Sequence, residues 1–244
     1  PTISLRRPFR SPHHEATARA IIGGGTRLLP GEISLAHHGI LFLDELPEFS
    51  RQVLESLRQP LEEKQITLAH ANQRATYPAD FMLIAAMNPC PCGNHGSAKL
   101  TCNCTPYQIL RYQERLSGPL LDRIDLFVHV PRLPTTVLVN STTSSKTTSE
   151  TAKSKIALAF AAQSQRFSEH PRFNANLTSI ETAHLINSPT IRSYLETASK
   201  NLQLSARAYF RLIRVARTIA DLAGEAEITT DHISEAIRYR QIAY

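Results

Sequence analysis

The 244-residue sequence has no tryptophan, two methionines and only four cysteines. Four cysteines are too few for a disulfide scaffold, so stability has to come from apolar packing, as in a reducing compartment. No apolar run approaches the roughly 18 residues of a membrane-spanning helix, which excludes that class. No secretory leader opens the chain, and a cytoplasmic location is expected. The first residue is Pro1 rather than Met, so a piece of a longer polypeptide is expected. What is present is ordinary for a globular chain: 42% hydrophobic and 20% charged residues. The net charge of +6 favours anionic partners such as nucleotides or nucleic acid.

One stretch reads as a linker. From Asn140 to Ser154, ten of fifteen residues are Ser or Thr, too polar to offset the entropy of ordering them. The division that follows is residues 1–133, a linker at 134–152, and residues 153–244. In the first part, Ile40–Leu43, Phe81–Ala86 and Leu126–Val130 are apolar runs of strand length, suited to a parallel sheet covered on both faces. Val53, Leu54, Leu57 and Leu61 recur at helical spacing. The last part reads as helix throughout. Ser188-Pro189 is a cap followed by a first-turn proline, and an apolar stripe from Ala206 to Ala223 stops at Gly224. The predicted architecture is an α/β parallel-sheet core with a β-hairpin insertion, followed by an all-α domain.

Chemistry-bearing residues sit at the ends of these runs. Asp44 and Glu45 follow the strand Ile40–Leu43, where open α/β sheets bind ligands. Asp44 suits a hydrated magnesium ion and Glu45 the polarising of an attacking water; a solvated acidic turn is the alternative. Asn88, in Asn88-Pro89 after the second strand, could orient water or meet a phosphate oxygen, or simply make a turn. Arg123 precedes the third run, with an intrachain salt bridge to Asp122 or Asp125 as its alternative to a cationic finger. Arg207, Arg211 and Arg214 share a helix face, for which solvation is the plain reading.

Cys90-x-Cys92 and Cys102-x-Cys104 are the only cysteines, with Gly93 and Gly96 between the pairs. Four clustered thiols closing a short loop suit a structural zinc, although the pairs are tighter than usual. His95 is a possible substitute ligand, and free surface cysteines are the alternative. Gln65–Tyr77 reads as a β-hairpin turning near Ala71-Asn72, with His70, Asn72, Gln73 and Arg74 at its tip. Arg6, Arg7, Arg10, His13 and His14 form a basic patch. His37-His38 suit a turn and packing better than metal ligation.

Strand-Asp-Glu, strand-Asn, Leu-Leu-Asp-Arg and a helical Ser-Ala-Arg, in this order, resemble the Walker B, sensor 1, arginine finger and sensor 2 of AAA+ ATPases. The segments RPFRSPHHEATARAIIGGG, PGEISLAHHGILFLDELPEF, NQRATYP, MNPCPCG, RLSGPLLDRIDL and LSARAYFRLIRVARTIADL resemble the magnesium-chelatase-like ComM (YifB) family along almost the whole chain. The resemblance implies that Asp44 is the magnesium-associated acid and Glu45 the catalytic glutamate. It makes Asn88 sensor 1, Arg123 a finger offered to a neighbouring subunit, and Arg207 sensor 2, with ATP and Mg²⁺ as cofactors. The implied protein is a cytoplasmic hexameric DNA motor that drives branch migration in natural transformation and recombination.

In the related minichromosome-maintenance helicases a hairpin in this place touches DNA, which assigns that role to His70, Asn72 and Arg74, with His70 where those relatives have lysine. The basic patch resembles the family's helix-2 insertion. The family's G-x-x-x-x-G-K-[ST] phosphate loop and its amino-terminal protease-like domain are absent from this sequence, so the chain is expected to be a carboxyl-terminal piece without ATPase activity of its own. The alternative is a magnesium-chelatase motor that remodels a metal-inserting partner. A transcription activator shares the Walker B wording, but its Gly-Ala-Phe-Thr-Gly-Ala loop is missing.

Overall fold

Ile40–Leu43 is flanked by Gly39 and two acids, and its four apolar residues form the central strand of the first unit in the computed structural model. The structure describes residues 6–97, 100–131, 148–167 and 172–240. The chain separates into two compact units, Pro1–Ile124 and Asp125–Tyr244.

The first unit opens with β1 (Phe9–Arg10), α1 (Ala18–Ile22), β2 (Gly23–Gly24), β3 (Leu29–Pro30), α2 (Glu32–Leu35) and β4 (Ile40–Leu43). It continues through α3 (Arg51–Ser56), α4 (Arg58–Glu63), β5 (Gln65–His70), β6 (Gln73–Pro78), β7 (Met82–Ala85), α5 (Pro106–Gln113) and α6 (Gly118–Leu121). Strands β1, β4 and β7 form a parallel sheet in that order, with Ile40 opposite Met82 and Leu43 opposite Ala85. The parallel sheet with surrounding helices is the α/β core expected from the sequence.

One face of the sheet carries the core. Leu41 and Leu43 are fully buried and pack with Ile21, Ile33, Val53, Leu54, Leu57 and Leu120. The expectation of a sheet covered on both faces is corrected: Phe9 is 61% and Met82 63% exposed on the side where Phe9 stacks on Phe42. Arg10, expected in a helix insertion, belongs to the edge strand β1 and pairs with Glu32 through two bonds of 2.5 and 2.6 Å.

The hairpin is as expected, β5 and β6 pairing from Gln65–Pro78 to His70–Gln73 around a two-residue turn. Ile66 and Leu68 enter the core on alternate positions, and Tyr77 donates its hydroxyl to the Leu28 carbonyl at 2.7 Å. Ala71, at the tip, sits in the left-handed region at φ 48°.

The second unit is helical: α7 (Ser149–Arg166), α8 (Ser179–Ala183), α9 (Pro189–Asn201), α10 (Ala206–Ala223) and α11 (Thr230–Arg238). The expected linker lies outside the described residues up to 147. Helix α7 begins within the Ser/Thr-rich stretch because Thr148 and Thr151 close a capping box. Ser188 precedes Pro189 at the start of α9, and Gly224 ends α10 in the left-handed conformation at φ 76°. Leu195, Leu212, Ile213, Ala216 and Ile233 form the core of this unit.

The strand expected at Leu126–Val130 does not form. Leu126, Val128 and Val130 are 51, 67 and 80% exposed, and Phe127 donates its N–H to the Tyr239 carbonyl at 2.7 Å. An apolar run becomes a strand only beside a strand edge, and here it meets the end of α11 instead.

Candidate nucleotide and metal sites

Parallel pairing brings the carboxyl ends of β4 and β7 side by side, so Asp44-Glu45 and Asn88 emerge at the same end of the sheet. All three are exposed. Glu45 adopts the left-handed conformation (φ 51°, ψ 47°), a strained state for a residue with a Cβ. Three contacts hold it. Its N–H donates to Asp44 Oδ1 at 2.9 Å, the next N–H, of Leu46, donates to Ala86 O at 2.9 Å, and its carboxylate lies 3.3 Å from His14 Nδ1. His14 rests edge-on against Phe49 and packs on His13.

Asn88 is backed by helix α5. Burial raises the Tyr112 phenol, and the negative charge of Glu48 adds to this, while the nearby Asn88 backbone opposes it. Gln113 Nε2 donates to Pro89 O at 3.2 Å, and Arg115 reaches Pro47 O at 3.0 Å and Glu48 at 2.7 Å. The exposed oxygens of Asp44 and Glu45 and the amide of Asn88 fit the magnesium and terminal-phosphate end of a nucleotide. The G-x-x-x-x-G-K-[ST] pattern that would cradle a triphosphate does not occur in these 244 residues.

The two expected arginines lie on other elements. Arg123 follows α6, its side chain 14% exposed, and pairs with Glu62 rather than Asp122 or Asp125. A phosphate would have to displace that carboxylate. Arg207 is exposed in the first turn of α10, in the other unit. Of its neighbours on that helix, Arg211 is buried and Arg214 donates to Leu177 O at 2.9 Å, which corrects the solvated-face reading for both. His70, Asn72 and Arg74 are exposed together at the hairpin tip. His37 Nδ1 accepts the Asp80 N–H at 3.0 Å and stacks on His38, a packing role.

The four cysteines converge. Their sulfurs all lie within 4.8 Å of one another. Cys90–Cys92, Cys92–Cys102 and Cys90–Cys102 are 3.4, 3.6 and 3.7 Å apart. A tetrahedron with metal–sulfur bonds of about 2.3 Å has sulfur–sulfur edges of about 3.8 Å, so the donor set fits zinc closely. His95 contributes its backbone N–H to Cys90 Sγ at 3.4 Å, and the cluster is formed by the cysteines without its ring.

The electrostatics agree. Backbone N–H groups of Asn94 and Asn103 lower the Cys92 thiol to about 6. The Cys104 backbone favours a Cys102 thiolate, but burial and the sulfurs of Cys92, Cys90 and Cys104 push Cys102 up to about 12. Four thiolates cannot coexist at this range without a cation between them.

Sequence reasoning placed His14 in a basic patch without its Glu45 partner, and it missed Glu62, Tyr112 and Gln113. Each acts across 24 to 61 positions of sequence, a separation at which residue spacing carries no signal.

Residues 1–138 match the family described as magnesium chelatase, subunit ChlI, and residues 146–240 match its ChlI C-terminal family. The chain therefore belongs to the magnesium chelatase ChlI family of AAA+ proteins. Within it, the chain is 47% identical over 238 residues to competence protein ComM of Haemophilus influenzae, a match covering 96% of this chain and 45% of ComM. It is 46% identical over 238 residues to YifB of Escherichia coli K12, covering 97% of this chain and 46% of YifB. A shorter match, 30% over 97 residues, spans 40% of this chain and 11% of DNA replication licensing factor Mcm6 of Drosophila melanogaster. The chain thus spans about half the length of the curated relatives with which it aligns from end to end.

Proposed function

We propose that this chain supplies the hydrolytic half of an ATP-dependent DNA motor that assembles as a hexameric ring and drives branch migration. The observation that supports the reading is the parallel pairing of β4 with β7, after which Asp44, Glu45 and Asn88 leave the same end of the sheet. Asp44 would hold the magnesium ion of bound ATP and Glu45 would take the proton of the attacking water. Asn88 would orient that water against the terminal phosphate. Bound nucleotide supplies the phosphoanhydride bond. Arg123 would reach a neighbour's phosphate on leaving Glu62, and Arg207 would report phosphate loss from the helical unit. His70, Asn72 and Arg74 suit contact with a DNA backbone, Arg74 as a cation and the other two as hydrogen-bonding groups. The similarity to a competence protein and to a replication licensing factor supports DNA as the partner. The four cysteines would hold one structural zinc ion.

The family description favours a second reading, a motor that remodels a metal-inserting enzyme. A chimera in which residues 1–244 replace the matching part of Haemophilus ComM distinguishes them. Branched DNA stimulating its ATP hydrolysis, and Arg74→Ala weakening that stimulation, supports the DNA motor. Hydrolysis indifferent to DNA of every shape rejects it.

A further inference from the structure

The cysteine cluster and Asn88 belong to one closed circuit. Its described residues between 88 and 104 form no helix or strand, and Cys90 follows Asn88 by two positions. Gly93, at φ 74°, lies against the amide of Asn88: a Cβ there would stand 3.8 Å from Asn88 Cγ and Oδ1. Cys104 leads directly into Thr105, whose capping box with Gln108 starts α5. The far end of α5 then returns to the start of the loop, Gln113 Nε2 donating to Pro89 O at 3.2 Å and Tyr112 lying close to the Asn88 backbone.

An eight-residue helix is marginal on its own and depends on what anchors its ends. Backbone bonds within the loop are few, Gly93 N–H to Cys90 O and Ser97 N–H to Asn94 O among the described residues. Closing Cys90 and Cys92 onto Cys102 and Cys104 with a metal removes the remaining freedom of the loop and fixes the first turn of α5.

We propose that metal occupancy of the four-cysteine cluster sets the position of Asn88, the metal acting as a latch on the nucleotide site through Gly93 and the Tyr112–Gln113 end of α5. The proposal rests on the metal reading above and adds a control function to it. Loss of zinc, by chelation or by oxidation of the thiolates to disulfides with a two-electron oxidant such as peroxide, would release Asn88 while leaving Asp44 and Glu45 in place.

The test uses the 244-residue chain itself. Cobalt is added to the reduced, metal-free protein to read the tetrahedral thiolate spectrum, and amide hydrogen exchange is then followed with and without zinc. The cobalt–thiolate spectrum should appear. Zinc should slow exchange by about tenfold or more at Asn88 and along α5, as well as in residues 90–104. In Tyr112→Phe and in Gln113→Ala the spectrum and the protection of 90–104 should persist, with the zinc-dependent change at Asn88 lost. A normal spectrum with protection confined to 90–104 overturns the latch and leaves the metal site standing. Absence of the thiolate spectrum overturns the metal site, and the latch with it.

Discussion

His14 and Glu45 face each other across the end of the sheet, imidazole Nδ1 to carboxylate oxygen at 3.3 Å. The histidine is braced by Phe49 and His13, whereas half of the glutamate side chain is open to solvent. The contact therefore restrains an otherwise mobile carboxylate at a backbone already held in the left-handed region. In the ComM chimera, His14→Ala should lower turnover severalfold at unchanged KM for ATP, and His14→Gln should restore part of it. A change confined to KM would show that His14 acts on binding instead.

Arg123 gives a prediction of a different kind, because Glu62 already occupies it. If the arginine serves a neighbouring subunit, mixing Arg123→Ala and Glu45→Gln chimeras, each inactive alone, should return some ATPase activity. A few junctions then pair an intact arginine with an intact glutamate. No recovery at any mixing ratio contradicts action across an interface.

The helical unit is held by a buried network around Asp221, which is 3% exposed. Its carboxylate accepts from Arg166 at 2.5 and 3.1 Å, Arg217 at 3.1 Å and Asn174 at 2.8 Å. Burial lowers the Arg217 guanidinium from its usual range, so the cation depends on this partner. Asp221→Ala leaves two arginines uncompensated and should cost about 3–5 kcal/mol. Urea unfolding followed by exchange in α10 measures it; a loss below about 1 kcal/mol would contradict the network's role.

His37 makes stability depend on pH. Burial lowers its imidazole first, the neighbouring His38 adds to this, and Asp80 opposes it. The depressed value means that the folded chain prefers the neutral ring. Stability is full above the ordinary value of about 6.5 and falls as the pH drops through the lower folded value. Protonation also removes the Nδ1 acceptor of the Asp80 N–H. His37→Asn keeps an acceptor without a titration, so its melting temperature should fall less than that of the unaltered chain between about pH 7 and 5. Equal falls would contradict the assignment.

Much of this was legible in the sequence where the signal is local. Ile40–Leu43 and Met82–Ala85 announce themselves as apolar runs, the 65–78 hairpin by alternation, and α10 by its stripe and its Gly224 stop. The cysteine cluster was legible because its four residues are the only ones of their kind. Non-local relations were not. Phe9–Arg10 is too short to show a pattern and is a strand only because β4 pairs with it. Leu126–Val130 has the pattern, yet Leu126, Val128 and Val130 stay exposed and no strand forms there. The open sheet face, the Glu62 partner of Arg123 and the return of Tyr112 to Asn88 depend on distant segments meeting, which residue spacing does not encode.

The central claim is that Asp44, Glu45 and Asn88 form a hydrolytic centre, and Glu45→Gln in the ComM chimera tests it most directly. Nucleotide binding and turnover are measured together on the same preparation. The account predicts that ATP binding persists while turnover falls by about a hundredfold or more, the contribution of a positioned general base. Turnover within a few-fold of the unaltered chimera would contradict it.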